Sequence, residues 1–276
     1  MKKQTIKIGE YTAAYTSVGQ GTPIIFLHGF FGDSSTLKPL IKEFQDNYHC
    51  ISLDLLGFGE SSKPNINYLI ETQVNFLQQF ITILKVPSFY LIGYSYGGWV
   101  ASAYATSYQQ FSDIKHLENI VLKQLILIAP AGIRDDKFVG RYNHLKPLLL
   151  ESPLIDFGLI IIAAMAKLIK KDKEIKFIRE IRQTLLNQPA AKAMISNRLK
   201  PEDAVDTVEK NIHEIAIPTL IIAAENDNII PLWHSQTYAD LIPQASLNII
   251  KEADHNLIHS HSQKISQFIK NSLDCD

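Results

Sequence analysis

At 276 residues, with 46% hydrophobic and 20% charged side chains, the chain can bury a sizeable core, either as one α/β domain or as one domain carrying an insertion. A formal net charge of −1 offers no basic field, so no nucleic acid is expected as a partner. The two cysteines, Cys50 and Cys275, stand far apart, which argues against a disulfide framework and for a reducing compartment.

The first ten residues are basic, but no apolar run of signal-peptide length follows them, and the expected location is cytoplasmic. Gln4 to Ile8 alternate with a period of two, and Tyr11 to Val18 read as an antiparallel partner. After a Gly-Pro break comes Ile24 to Leu27, continuously apolar as a strand covered on both faces should be. It runs into His28-Gly29-Phe30-Phe31-Gly32-Asp33, after which Ser34 or Ser35 can cap a helix carrying Leu37, Leu40, Ile41 and Phe44. Cys50 to Leu53 form another strand, closed by Asp54-Leu55-Leu56-Gly57-Phe58-Gly59-Glu60-Ser61. A helix with Val74, Leu77, Phe80, Ile81 and Leu84 at 3-4 spacing leads to the strand Phe89 to Ile92.

That strand enters Gly93-Tyr94-Ser95-Tyr96-Gly97-Gly98, and a helical run from Trp99 to Ala105 leaves it. Strand, serine between close glycines, then helix is the pattern of a nucleophile elbow. Taken alone, the same residues would also suit a glycine-rich corner where Ser95 caps the following helix. Gln124 to Pro130 are a further buried strand; beyond Gly132 only helical periodicity appears until Ile217. Ser152-Pro153 should start a helix over Leu154 to Leu168, and Ile175 to Leu186 and Ala204 to Ile212 read as two more. The Leu154 stretch falls short of the ~20 apolar residues of a membrane span and is read as a buried helix. Strands return at Ile217 to Ala223 and Ser246 to Ile250, before a last helix with Ile258, Ile265, Phe268 and Ile269. Alternating strands and helices imply a parallel sheet with right-handed crossovers and helices on both faces. The expected organisation is a core of residues 1–132 and 217–276, with a helical cap of residues 133–216 inserted after the sixth strand.

A serine hydroxyl becomes a nucleophile when a base takes its proton and a third group holds that base. The loop after the seventh strand supplies Asp227, and the loop after the eighth supplies His255. In open parallel sheets such loops gather with Ser95 at the carboxyl ends of the strands. Asp135 and Asp136, after the sixth strand, are rivals for the acid. Asp254 reads as a solvent-facing or turn-capping residue, His234 and His261 as surface residues, and Asp54 as a partner of its own glycine turn. His255 and His259 could face one metal, but no third ligand stands at a recognisable spacing, so no metal is expected. The segment from Lys167 to Arg182 is rich in lysine and arginine. It reads as a solvated helix face, with attraction to an anionic substrate or membrane surface as the sharper alternative.

These landmarks, with chain order serine, acid, histidine, make the sequence resemble the α/β-hydrolase family over nearly its whole length. The resemblance implies a mostly parallel eight-stranded sheet and an oxyanion hole formed by the backbone N–H groups of Phe30 and Tyr96. It also implies a structural role for His28, hydrogen-bonded under its loop. A serine at the elbow argues against the haloalkane dehalogenases and epoxide hydrolases of the family. The expected activity is hydrolysis of an acyl bond in a small molecule with an apolar group, most simply a carboxylic ester, with no cofactor. A carbon-carbon bond hydrolase, a thioesterase or a non-catalytic ligand receptor on the same fold remain alternatives. Phe31, Phe157 and Met165 are candidate substrate contacts.

Overall fold

The computed structural model describes residues 2–112, 120–135, 150, 152–168, 172–197 and 206–273. Eight strands form one sheet: β1 Lys3–Ile8, β2 Tyr11–Val18, β3 Pro23–Leu27, β4 His49–Leu53, β5 Ser88–Tyr94, β6 Val121–Ile128, β7 Thr219–Ala224 and β8 Ala245–Ile250. Their order is β1-β2-β4-β3-β5-β6-β7-β8. β1 pairs with β2, and β2 with β4, antiparallel; every other pairing is parallel. The sheet is therefore the mostly parallel one that the alternating pattern predicts.

Its central strands are mostly apolar because both faces are covered, with Ser52 in β4, Ser88 in β5 and Lys123 and Gln124 in β6 among the exceptions. Ile25, Leu27, Leu91, Leu125 and Leu127 enter one buried cluster, beside residues of α2 (Ile70–Leu84) and α3 (Tyr96–Ser112). Ile24, Phe26, Ile92, Ile126 and Ile128 enter the other, with α1 (Lys38–Ile41) and residues of the two C-terminal helices. Ile25 is in register with Leu91, and Leu91 with Leu125, so one period-two pattern runs across these strands beyond the register shift at Phe89 and Tyr90. The strand order reverses at β3, between β4 and β5. This is the topological switch point, where a crevice opens outside the carboxyl ends of the strands.

Between β6 and β7 the described residues hold helices only: α4 Pro153–Leu168, α5 Asp172–Asn187, α6 Pro189–Asn197 and a 3₁₀ turn, Ile212–Glu214. Leu185, Ala190 and Ala191 are buried in the larger cluster, and Gln188 donates to the carbonyl of Phe31 at 3.3 Å, which fastens this segment over the loops after β3 and β4. The remaining helices are α7 Leu232–Leu241, α8 Leu257–Ser260 and α9 Ser262–Leu273.

Several expectations need correction. Neither Ser34 nor Ser35 caps α1, which begins after Leu37 with no side-chain cap; the Ser34 N–H is taken by Asp54 Oδ1 at 2.6 Å. Residues 206–211 are irregular or turn, not helix, while 204 and 205 lie outside the described residues. The periodicity did not announce α6. Most consequentially, α4 forms where expected but is not buried: Leu154 is 81% and Phe157 63% exposed. Arg182, read as part of a solvated face, is 2% exposed and clasps Asp156 through Nε at 2.8 Å and Nη2 at 3.1 Å. Burial is affordable for this guanidinium because its donors meet a carboxylate and the carbonyl of Leu150.

Candidate active site

Ser95 stands at the tip of β5 with φ of 54°, a left-handed conformation that few residues other than glycine adopt. Surrounding hydrogen bonds hold it there. Its N–H donates to the Ile128 carbonyl at 2.9 Å, and its carbonyl accepts from Gly98 at 2.9 Å, Ala131 at 3.0 Å and Trp99 at 3.2 Å. The flanking glycines are a matter of space. A Cβ on Gly93 would lie 2.3 Å from the Gly97 carbonyl oxygen, and one on Gly97 2.3 Å from that of Leu27. Only without side chains can the turn close against the end of β3.

Two other strand-end loops converge on it. His255, after β8, sets Nε2 3.0 Å from Ser95 Oγ and Nδ1 2.7 Å from Asp227 Oδ2. Asp227, after β7, is itself oriented: Oδ1 accepts the N–H groups of Ile229 and Ile230, both at 2.8 Å. An ionised carboxylate only accepts hydrogen bonds, so it selects the imidazole tautomer with the proton on Nδ1. The lone pair of Nε2 then faces the serine hydroxyl. The Asp227 side chain is 1% exposed and that of His255 19%, so water reaches the base and not the acid. Beneath the imidazole, Tyr94 stacks with ring centroids 5.3 Å apart and donates its hydroxyl to the His255 carbonyl at 2.7 Å. Burial first, then the charges of Asp227 and Asp254, push that phenol up, which keeps it a proton donor.

Phe30 lies in the loop after β3 and Tyr96 opens α3, so both backbones border the elbow, with their rings 6.1 Å apart. Phe58 and Trp99 extend this aromatic wall, with ring centroids 5.7 and 6.1 Å from that of Tyr96. Phe31 packs on Phe30 at 4.3 Å and is 38% exposed. Phe157 lies on the exposed helix α4, and the side chain of Met165 lies outside the described residues.

The loop carrying Phe30 is braced from below. His28 is fully buried, with Nδ1 2.8 Å from the Gly29 carbonyl and Nε2 accepting from the Leu55 N–H at 3.1 Å. That pairing requires the neutral ring, and burial depresses its pKa accordingly. Asp54, also fully buried, accepts from Ser34 and from Glu60, and Lys3 reaches across from β1 to within 3.0 Å of it. Burial alone would raise the pKa of Asp54; the hydrogen bonds outweigh it and hold the carboxyl below its ordinary range.

Among the rivals, Asp135 Oδ2 lies 3.6 Å from His234 Nε2, so this contact joins it to a histidine other than His255. Asp136 lies outside the described residues. Asp254 accepts from the Asn256 N–H at 2.9 Å and caps its own turn. His234 is the clearest departure from the sequence reading. Far from being a surface residue, it is 3% exposed on α7, tilted against Trp233, and its pKa is lowered by burial against the opposing pull of Asp135. No spacing in the sequence marks a lone histidine as buried. Among the described residues no group of three or more His, Cys, Asp or Glu could hold a metal ion, and no helix is long and apolar enough to cross a membrane.

Comparison with known proteins agrees with this architecture. A family model described as alpha/beta hydrolase fold matches residues 22–262. Monoacylglycerol lipase ABHD6 of Homo sapiens is 25% identical over 271 residues, covering 91% of this chain and 75% of that protein. The AB hydrolase superfamily protein YisY of Bacillus subtilis is 26% identical over 274 residues, covering 96% of each. Among solved structures, a variant of the meta-cleavage product hydrolase of Pseudomonas fluorescens IP01, complexed with acetates, superposes with a TM-score of 0.74. It is 22% identical, and the match covers 98% of this chain and 97% of that one.

Proposed function

The chain belongs to the alpha/beta hydrolase fold family, and from that membership we propose that it is a serine hydrolase cleaving an acyl bond, most simply a carboxylic ester, with Ser95, His255 and Asp227 as its triad. The observation that carries the reading is the continuous relay from Ser95 Oγ through His255 to Asp227, at 3.0 and 2.7 Å. In this mechanism Nε2 of His255 takes the hydroxyl proton as Oγ attacks the acyl carbon. Asp227 keeps Nδ1 protonated and stabilises the imidazolium. The N–H groups of Phe30 and Tyr96 hold the oxyanion, a stabilisation of which one donor typically contributes ~2.7–4 kcal/mol. His255 then returns its proton to the leaving alcohol, and water activated by the same nitrogen releases the acid from the acyl-enzyme.

The aromatic wall of Phe30, Phe58, Tyr96 and Trp99 supports a substrate with an apolar group, as does the lipase relative. In this reading residues 133–216 form a cap that selects the substrate, resting on the core through Ala190 and Ala191. A panel of p-nitrophenyl esters, an acyl thioester and a vinylogous diketone, run on wild type and Ser95→Ala, tests it. Ester turnover that disappears in the variant is expected. Preference for the thioester or the diketone would reassign the bond cleaved, and ester turnover unchanged by Ser95→Ala would overturn the assignment.

A further inference from the structure

Helix α4 carries an apolar surface that no contact among the described residues covers. Leu154, Phe157 and Ile161 recur at helical spacing and are 81%, 63% and 46% exposed, with Ile160 and Ile162 beside them at 54% and 47%. Side chains of this size normally appear singly on a protein surface, and a contiguous set marks a binding face. The one acidic residue of the helix, Asp156, is neutralised by Arg182, whose guanidinium ties α4 to α5. The Asp156 carboxylate is itself 56% exposed, but its charge is matched by the buried Arg182.

The charge of the surrounding sequence points to what covers it. Residues 150–197 carry eight Lys and Arg against five Asp and Glu, a net of +3, in a chain whose total is −1. Lys176 and Arg179 are exposed on α5, Lys176 at 3.8 Å from the likewise exposed Glu180, and Arg179 lines a shallow groove together with Leu159 and Ile160 of α4. A second copy packed across a twofold axis would bring two such positive faces together, which is unfavourable. An anionic bilayer meets both needs at once, because its acyl boundary accepts the apolar side chains and its phosphates accept the lysines. At 16 residues, about 24 Å, the helix is too short to span but long enough to lie in the interfacial plane.

We propose that α4 is an interfacial helix by which the protein seats itself on an anionic lipid bilayer, with Leu154, Phe157 and Ile161 in the acyl boundary and Lys176 and Arg179 at the headgroups. The proposal is independent of the catalytic assignment, and binding rather than turnover tests it. The full chain is mixed with vesicles of phosphatidylcholine alone or of equal parts phosphatidylcholine and phosphatidylglycerol, at low and high salt, and separated by flotation. Wild type should float with the phosphatidylglycerol vesicles and be released by salt. Leu154→Ser combined with Ile161→Ser should weaken partitioning about tenfold or more, and Lys176→Ala and Arg179→Ala about fivefold each. All variants should keep the wild-type thermal midpoint. Wild type that floats with neither vesicle, or a double serine variant that floats as well as wild type, overturns the proposal. A wild-type dimer in light scattering that the serine variant turns to monomer assigns the face to a second copy instead.

Discussion

Replacing Asp227 with asparagine tests the relay with almost no change of shape. Asp227 Oδ1 accepts two backbone N–H groups at 2.8 Å, so the asparagine will keep its carbonyl oxygen there and turn its amide NH₂ toward His255. The amide meets Nδ1 at the 2.7 Å site where the carboxylate accepted the Nδ1–H hydrogen bond. Two donors cannot face each other, so the imidazole must move its proton to Nε2, which then points an N–H at Ser95 Oγ across 3.0 Å. The histidine stays in position but cannot act as a base. Substitutions of this type in triads lower kcat by about 10⁴, equivalent to ~5.5 kcal/mol of transition-state stabilisation. Steady-state hydrolysis of a p-nitrophenyl ester measures it, with the thermal midpoint as a control for folding. Asp135→Asn, made in parallel, should leave kcat near wild type, because the carboxylate that meets His255 is that of Asp227, at 2.7 Å, whereas Asp135 lies 3.6 Å from His234. Wild-type turnover in Asp227→Asn, with activity lost in Asp135→Asn, would refute this reasoning and give the acid to the loop after β6.

Other expectations follow from the same contacts. Gly97→Ala forces a Cβ to within 2.3 Å of the Leu27 carbonyl, so β3 or α3 must shift. The cost is about 1–3 kcal/mol, seen as a thermal midpoint lower by ~2–4 °C per kcal/mol; an unchanged midpoint would show that the elbow is looser than the distances imply. His28 and His234 are buried with depressed pKa values, so below the ordinary histidine value of ~6.5 the unfolded chain binds protons that the folded one does not. Stability should therefore fall as pH drops through that value toward their folded pKa values, by up to ~1.4 kcal/mol per pH unit for each histidine. A urea midpoint at pH 5.5 equal to or above that at pH 7.5 would contradict this. Lys3→Met removes the ammonium that reaches buried Asp54, and should lower both the thermal midpoint and the ester kcat, since Asp54 also holds the N–H of Ser34 in the loop carrying Phe30. A loss of stability with kcat intact would confine Lys3 to a structural role.

The sheet was the legible part of the chain. Strands covered on both faces are written largely as apolar runs, and β3 through β8 fall within two residues of the segments read from sequence, except that β6 begins at Val121, three residues before Gln124. The convergence of Ser95, Asp227 and His255 was legible for a related reason: each lies at or just after the end of a strand-like segment, and parallel strands deliver their ends to one edge. Burial outside the sheet was not. α4 is apolar almost all round, so it carries no periodicity to tell a buried helix from one turned outward. The burial of His234 and of Arg182 depends on partners distant in sequence, Asp135 and Asp156, which no local pattern announces. α1 begins only at Lys38, after a loop whose Ser34 N–H is tied to Asp54, again a tertiary contact.

The most direct test of the account is covalent labelling of Ser95. A fluorophosphonate phosphonylates a serine only when a base removes its proton and an oxyanion site receives the phosphoryl oxygen, whatever the natural substrate. Stoichiometric modification is expected on the peptide containing Ser95, absent in Ser95→Ala and strongly slowed in His255→Ala. A native, folded protein that remains unlabelled, or one labelled at a different residue, would contradict it.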